Sequence, residues 1–341
     1  MKPELNFILC SDTEDNHPKY LPGWEKEGSD YDEYTPTFKY TWTNHWNELL
    51  AEFNKYDLKI IWFLRTDLCI KDSFLKYNKR AITHLKEAEN ILGIHIHTLS
   101  WDGRIWCQEG NESKQSKIVE KSIRIFTDTL DFHPLYSRMG WNAMTNSIMH
   151  ALAENGIRVD MTCAPGYFSE GMYGGRDNII DWRNSPLVPY RPCFSDYKKE
   201  GNMDIVEIPI STINNANKLY KKSRLNSILN KHLHKPVAKI VSKSGYIIDR
   251  MNYNPHSCFT ISPFWSNKPI TEMIRKKHAE AEEKGSANII GYFHPCDILN
   301  TQNGKINKIF MKSIAEILSE IYNGKSTVRD ARYINQLLKG V

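Results

Sequence analysis

Two histidines one residue apart, His95 and His97, stand in the run Gly93-Ile94-His95-Ile96-His97-Thr98. The run is otherwise apolar and reads as a β-strand, on which residues i and i+2 share a face. A buried parallel strand carries Val, Ile or Leu on both faces, so two imidazoles on one face suggest a polar centre. Imidazole is the usual nitrogen ligand for a divalent metal. An acidic counterpart follows the apolar run Leu5 to Cys10: Ser11-Asp12-Thr13-Glu14-Asp15-Asn16-His17. Three carboxylates within four residues repel one another unless solvent or a cation compensates them. Each feature has a plainer reading, as hydrogen-bonded histidines at a strand end and as an exposed acidic turn. In α/β folds, however, ligands bind at the carboxyl ends of strands, which is where both groups stand.

The elements that must position these residues alternate along the chain. After the first strand, an aromatic, acidic loop covers about residues 16 to 40. Trp46, Leu49, Leu50 and Phe53 then fall at i, i+3, i+4 and i+7 and predict a helix. Leu58 to Leu64 predicts a strand, and a helix near 73–89 leads into the histidine strand. Val119, Ile123, Phe126 and Leu130 mark another helix. A strand near 134–138 precedes a helix through Met144, Ile148, Ala151 and Leu152, with Gly156 placed to end it. Strands are expected at 157–161, 204–210 and 288–293, and helices near 268–284, 305–323 and 327–339. The stretch 166–203 reads as irregular. This β–α alternation predicts a parallel sheet closed as a barrel, with function on the loops at its C-terminal rim.

The 341 residues are 40% hydrophobic and 25% charged, the composition of a globular domain. No run approaches the ~18 apolar residues of a membrane span. The chain enters its first strand at once, so no secretory signal is expected. The seven cysteines lack CxxC spacing and are odd in number, which suits free thiols in a reducing cytosol. The expected location is therefore cytoplasmic. A net charge of +5 does not by itself imply nucleic acid.

Five ordered blocks carry a resemblance to a known group. They are the acidic motif Ser11-Asp12-Thr13-Glu14-Asp15 and the strand end Leu92-Gly93-Ile94-His95, followed by Ser137-Arg138-Met139-Gly140-Trp141. Glu154-Asn155-Gly156-Ile157-Arg158-Val159-Asp160 is the fourth, and Gly291-Tyr292-Phe293-His294-Pro295 the last. Together they resemble the polysaccharide deacetylase superfamily, carbohydrate esterase family 4 or NodB-like, over roughly residues 5–165 and 200–300. The chain departs from that pattern in two places. Asp-Thr-Glu-Asp replaces an adjacent Asp-Asp, and Leu99 stands four residues after His95 where a second histidine is usual. His97 is the candidate substitute.

The chain is expected to form one domain over 1–341, with a basic, partly helical insertion near 214–256. The resemblance implies a distorted (β/α) barrel. It implies hydrolysis of an acyl group on a sugar, with a divalent metal polarising the carbonyl and acidifying a bound water. Zinc is expected, with cobalt or nickel as alternatives. Glu14, His95 and His97 are the expected ligands, and Asp15 competes with Glu14. Asp12 is the implied general base, Arg138 its orienting partner and His294 the general acid. Asp160 is expected to pair with His294 and favour its protonated form. Arg138 and His294 also admit plain structural readings. Trp101, Trp106 and Trp141 follow these motifs and could stack on sugar faces, although tryptophan is often core.

Between Lys218 and Arg250, nine Lys or Arg residues face one acid, Asp249. A solvated insertion is the first reading. A clamp for a sugar-phosphate-linked substrate and a peripheral membrane-surface contact are the others. No nucleic-acid module is recognisable. The expected function is a metal-dependent hydrolase removing an acyl group, N-acetyl first, from a cytosolic surface-polysaccharide precursor. The rivals are a metal-independent amidohydrolase acting on a non-sugar C–N bond and a non-catalytic glycan-binding protein on the same barrel.

Overall fold

The computed structural model describes residues 2–14, 42–101, 106–170, 179–213, 258–263, 267–300 and 305–338. The expected basic insertion near 214–256, with its cluster at 218–250, lies outside the described residues.

Nine strands form one sheet: β1 (Glu4–Thr13), β2 (Ile61–Arg65), β3 (Ile91–Ile96), β4 (Tyr136–Met139), β5 (Val159–Asp160), β6 (Val206–Glu207), β7 (Thr260–Ile261), β8 (Ser286–Phe293) and β9 (Thr327–Arg329). Their order is β6-β5-β4-β3-β2-β1-β8-β7, with β9 against the start of β1, and every pairing is parallel. Strands of this kind are covered on both faces, which explains runs such as Ile61-Trp62-Phe63-Leu64, all buried.

Helices cover the sheet. They are α1 (Trp46–Asn54), α2 (Lys79–Glu87), α3 (Glu112–Leu130), α4 (Asn146–Glu154), α5 (Lys268–Lys284) and α6 (Lys308–Tyr322). The predicted apolar face of α1 is the buried one, and Trp46 stacks on Trp62 of β2 with ring centroids 5.0 Å apart. Asn111, Thr145 and Asn307 cap α3, α4 and α6 by accepting backbone N–H bonds. Gly156 follows α4 at φ +81°, the left-handed conformation that its place in the sequence predicted.

The two ends of the sheet are tied by the segment after β6. Ile208 and Ile210 donate backbone N–H bonds to Asp160 and Cys163 at 2.8 and 2.9 Å. Ser211 then crosses over: its N–H donates to Ile290 O at 2.9 Å, and its carbonyl accepts from Phe259 N at 2.8 Å. The sheet is thus curled into the expected distorted barrel, closed by irregular chain rather than by regular strand.

Two predicted elements differ. The helix near 73–89 is broken into Ser73–Tyr77 and α2 at Asn78, whose side-chain amide donates to Phe74 O. The helix expected at 327–339 survives only as Ile334–Leu337 after a three-residue 3-10 turn, and Thr327–Arg329 is strand β9. Thr327 and Val328 are β-branched, and their strand fills the edge of β1 at Glu4–Asn6, before β2 joins it at Cys10.

Candidate active site

Because all the sheet strands are parallel, their carboxyl ends share one rim. β1 brings Asp12 to that rim, and Glu14 follows directly, its N–H turned back to Asp12 O at 3.1 Å. His95 lies near the end of β3 and His97 just past it. Arg138 sits on β4 in register with His95, and His294 follows β8, where Phe293 pairs with Ser11. Four separate strand ends therefore converge.

Glu14 is the hub. Its Oε2 lies 2.8 Å from His97 Nε2, and its Oε1 lies 3.7 Å from His95 Nε2 and 3.9 Å from His294 Nε2. Glu14, His95 and His97 are all buried, and each offers a ligand atom within 4.8 Å of the others'. His95 Nδ1 donates to the Arg138 carbonyl at 2.9 Å, which leaves the lone pair on Nε2. Among the described residues that Nε2 is buried without a hydrogen-bond partner, as is Nδ1 of His97. One carboxylate with two imidazoles, one of them oriented by a backbone carbonyl, fits a divalent ion. Asp15, the competing carboxylate, lies outside the described residues.

The charges of the cluster are mutually set. Burial works to raise the Glu14 carboxyl, but the His97 and His95 imidazoles outweigh it and hold it well below its usual range. Burial likewise works to lower His95, yet Asp12 and Glu14 prevail and raise it. For His97 burial wins over the pull of Glu14, and the group is lowered.

Asp12 forms the second half of the site. Arg138 Nε donates to its Oδ1 at 2.6 Å, and His294 Nε2 lies 3.7 Å from its Oδ2. Arg138 is anchored elsewhere as well, donating to Met161 O and, at 3.1 Å, to Asn142 Oδ1. Its guanidinium also lies over the Tyr292 ring, 4.1 Å from the centroid. Burial opposes the Arg138 charge, but Asp12 more than compensates and holds it above its ordinary pKa. The arrangement can fix a carboxylate between a locked cation and an imidazole.

Asp160 is not brought to His294. Its carboxyl accepts from Ser137 Oγ at 2.6 Å and Thr162 N at 3.0 Å, and it faces Glu207, its partner in register across β5 and β6. Besides Asp12 and Glu14, a third acid interacts with His294: Asp297 on the following 3-10 turn, which burial pushes up to about 6 against the pull of His294 and Ser262.

Of the tryptophans, Trp141 touches the site. Trp101 and Trp106 face each other across a short hairpin with centroids 5.9 Å apart, and Trp141 sets its ring edge-on to His97 at 4.6 Å. Trp141 holds φ +57°, a left-handed conformation that costs a tryptophan about 1–3 kcal/mol. Next to it, Gly140 has no alternative, because a Cβ there would run into the His97 ring.

Arg65 and Asp67 escaped the reading of the sequence. Arg65 Nη1 donates to Glu14 Oε2 at 3.4 Å, and its Nε donates to Asp67 Oδ2 at 2.8 Å. A charged residue closing the apolar strand Ile61–Arg65 is the same signal that exposed His95.

The structure therefore gathers buried carboxylates and imidazoles at the C-terminal rim of a curled parallel sheet. Solved structures share this fold. A protein of Parabacteroides distasonis provisionally described as a glycoside hydrolase/deacetylase has a TM-score of 0.61 at 11% identity, over 99% of this chain and 72% of that one. A provisionally described polysaccharide deacetylase of Mycobacterium smegmatis has a TM-score of 0.53 at 14% identity, over 99% and 91%. The allantoinase PuuE has a TM-score of 0.53 at 13% identity, over 99% and 90%. No protein-family model and no curated protein sequence matches the chain. The fold is therefore the NodB-like deacetylase barrel in a divergent sequence.

Proposed function

We propose that this chain hydrolyses an acyl group, N-acetyl first, from a carbohydrate. The observation that carries the reading is the convergence of Asp12–Arg138, Glu14–His95–His97 and His294 at one rim. Glu14, His95 and His97 would hold a divalent ion, which would polarise the acyl carbonyl and make a bound water more acidic. Asp12 takes the proton from the attacking water, oriented by the Arg138 guanidinium at 2.6 Å. The water oxygen bonds to the acyl carbon, the C–N bond breaks, and His294 gives a proton to the departing nitrogen. Trp101, Trp106 and Trp141 supply aromatic faces for sugar rings. Neighbours described as a glycoside hydrolase/deacetylase and as a polysaccharide deacetylase support the substrate class. Seven free thiols support a reducing compartment, and with it an intracellular precursor as substrate.

A second reading, metal-independent hydrolysis of a non-sugar C–N bond, is favoured by Arg65, a fixed cation already placed on Glu14. Metal analysis separates the two. Purified protein is expected to hold about one zinc, cobalt or nickel ion per chain, lost in both His95→Ala and His97→Ala. Release of acetate from N-acetylated oligosaccharides should disappear with the metal and return on its addition. Hydrolysis that persists in thoroughly stripped protein would establish the second reading instead.

A further inference from the structure

Arg65 is a buried cation beside Glu14 that the chemistry above does not use. It is 2% exposed, and its partner Asp67 is 0% exposed. Asp67 is itself fixed, because its Oδ1 accepts the backbone N–H groups of Cys69 and Ile70 at 2.9 and 3.1 Å. A turn after β2 thus holds a carboxylate, the carboxylate holds a guanidinium at 2.8 Å, and the guanidinium meets Glu14 Oε2 at 3.4 Å. The two Glu14 oxygens have different surroundings as a result. Oε2 is taken up by Arg65 and His97, while Oε1 faces His95 and His294.

We propose that Arg65 and Asp67 are positioning residues that aim Glu14 Oε1 into the site and set how tightly the site binds a divalent cation. The inference rests on the reading of Glu14, His95 and His97 as metal ligands. Its physical basis is charge in a buried place, where Coulomb interactions are weakly screened. The Arg65 guanidinium repels an incoming cation, whereas the Asp67 carboxylate offsets that repulsion. The two residues therefore act on metal affinity with opposite signs. An ion pair with a purely structural role would behave differently: breaking it from either side would loosen the site.

The test is zinc affinity of metal-stripped protein, titrated against the chromophoric chelator 4-(2-pyridylazo)resorcinol, with melting curves taken first to establish folding. Arg65→Met should bind zinc on the order of tenfold more tightly than wild type, and Asp67→Asn on the order of tenfold more weakly. The Asp67→Asn side chain retains an oxygen for the Cys69 and Ile70 N–H groups, so the turn is preserved. The absorption bands of the cobalt-loaded protein should shift in Arg65→Met, because Glu14 loses its fixed orientation. Should Arg65→Met not fold, Arg65→Lys keeps the charge and must stay within about threefold of wild type, with Asp67→Asn still weaker. Weaker binding in both Arg65→Met and Asp67→Asn, or no change in either, overturns the proposal while leaving the ligand assignment standing. Wild-type protein that takes up no zinc overturns the ligand assignment and this inference with it.

Discussion

Asp12 and Glu14 are two residues apart, yet the structure gives them different surroundings. Asp12 is held by Arg138 and approached by His294, whereas Glu14 faces His95 and His97. Asp12→Asn should therefore lower hydrolysis by about 10²–10⁴-fold, the usual worth of a general base. Metal content should stay at the wild-type level, as measured by elemental analysis of the same preparation. Loss of the metal in Asp12→Asn would mean that the two carboxylates share one task. The residues of the site were largely legible because a charged or imidazole side chain at the end of an apolar strand is costly to bury without a partner. Asp12, His95 and His294 carry that mark, whereas Arg138, inside the short strand Tyr136–Met139, was legible only through the resemblance. Arg65 carries it too, but as a lone arginine closing Ile61–Arg65 it lacks the paired spacing that singled out His95 and His97. The link between Asp160 and His294 was not legible in the same way. It depends on which strands are neighbours, and β5 and β8 stand on opposite sides of β1 to β4 in the sheet order.

At the scale of elements, the short pairing of β5 with β6 sets Asp160 opposite Glu207, both fully buried. Burial pushes the Glu207 carboxyl well above its ordinary value of 4.5, and the Asp160 charge pushes it further. The sign of the pH effect follows from proton linkage. Well below about pH 4.5 the group is protonated in the folded and the unfolded chain alike, and its contribution does not change with pH. Above that pH the unfolded chain releases the proton while the folded one keeps it, so stability falls until the folded-state group itself titrates. Glu207→Gln keeps the shape and an oxygen for the Cys163 N–H, now made at 2.8 Å. Melting temperatures taken from pH 5 to pH 9 should decline less steeply in the variant than in wild type, and at pH 9 the variant should be the more stable protein. Parallel curves would place the proton of this pair elsewhere. Element types were otherwise readable from periodicity, because core helices and buried strands repeat at 3.6 residues or run apolar without a break. The end of the chain was not: Thr327–Arg329 is a strand only because β1 has an edge to fill there, a tertiary demand that the local sequence does not state.

For the molecule as a whole, the question is what keeps the rim in one piece. His294 directly follows β8, and β1 carries Asp12, and the pairing of these two strands runs from Glu4 to Ser11. On its other side β8 meets β7 and the crossing segment at Ser211. Ser211 makes three bonds there: N–H to Ile290 O, carbonyl from Phe259 N, and Oγ from Ile290 N at 2.9 Å. A side-chain oxygen thus replaces the backbone carbonyl that a regular strand would offer, which is why the closure reads as irregular chain. Ser211→Ala leaves the buried Ile290 N–H without that acceptor and should cost about 1–3 kcal/mol. Ser211→Thr keeps the hydroxyl and should cost less. Ser211→Pro removes the N–H as well and should do the greatest damage. Thermal melts rank the three variants. Zinc binding in Ser211→Ala should survive, because Glu14, His95 and His97 stand at the ends of β1 and β3, and Ser211 bonds neither strand. Turnover should fall more than zinc affinity, since His294 lies four residues beyond Ile290, just past the strand that the seam holds. Equal stability of Ser211→Ala and wild type would mean that the barrel is closed by apolar packing and that the Ser211 bonds merely follow it.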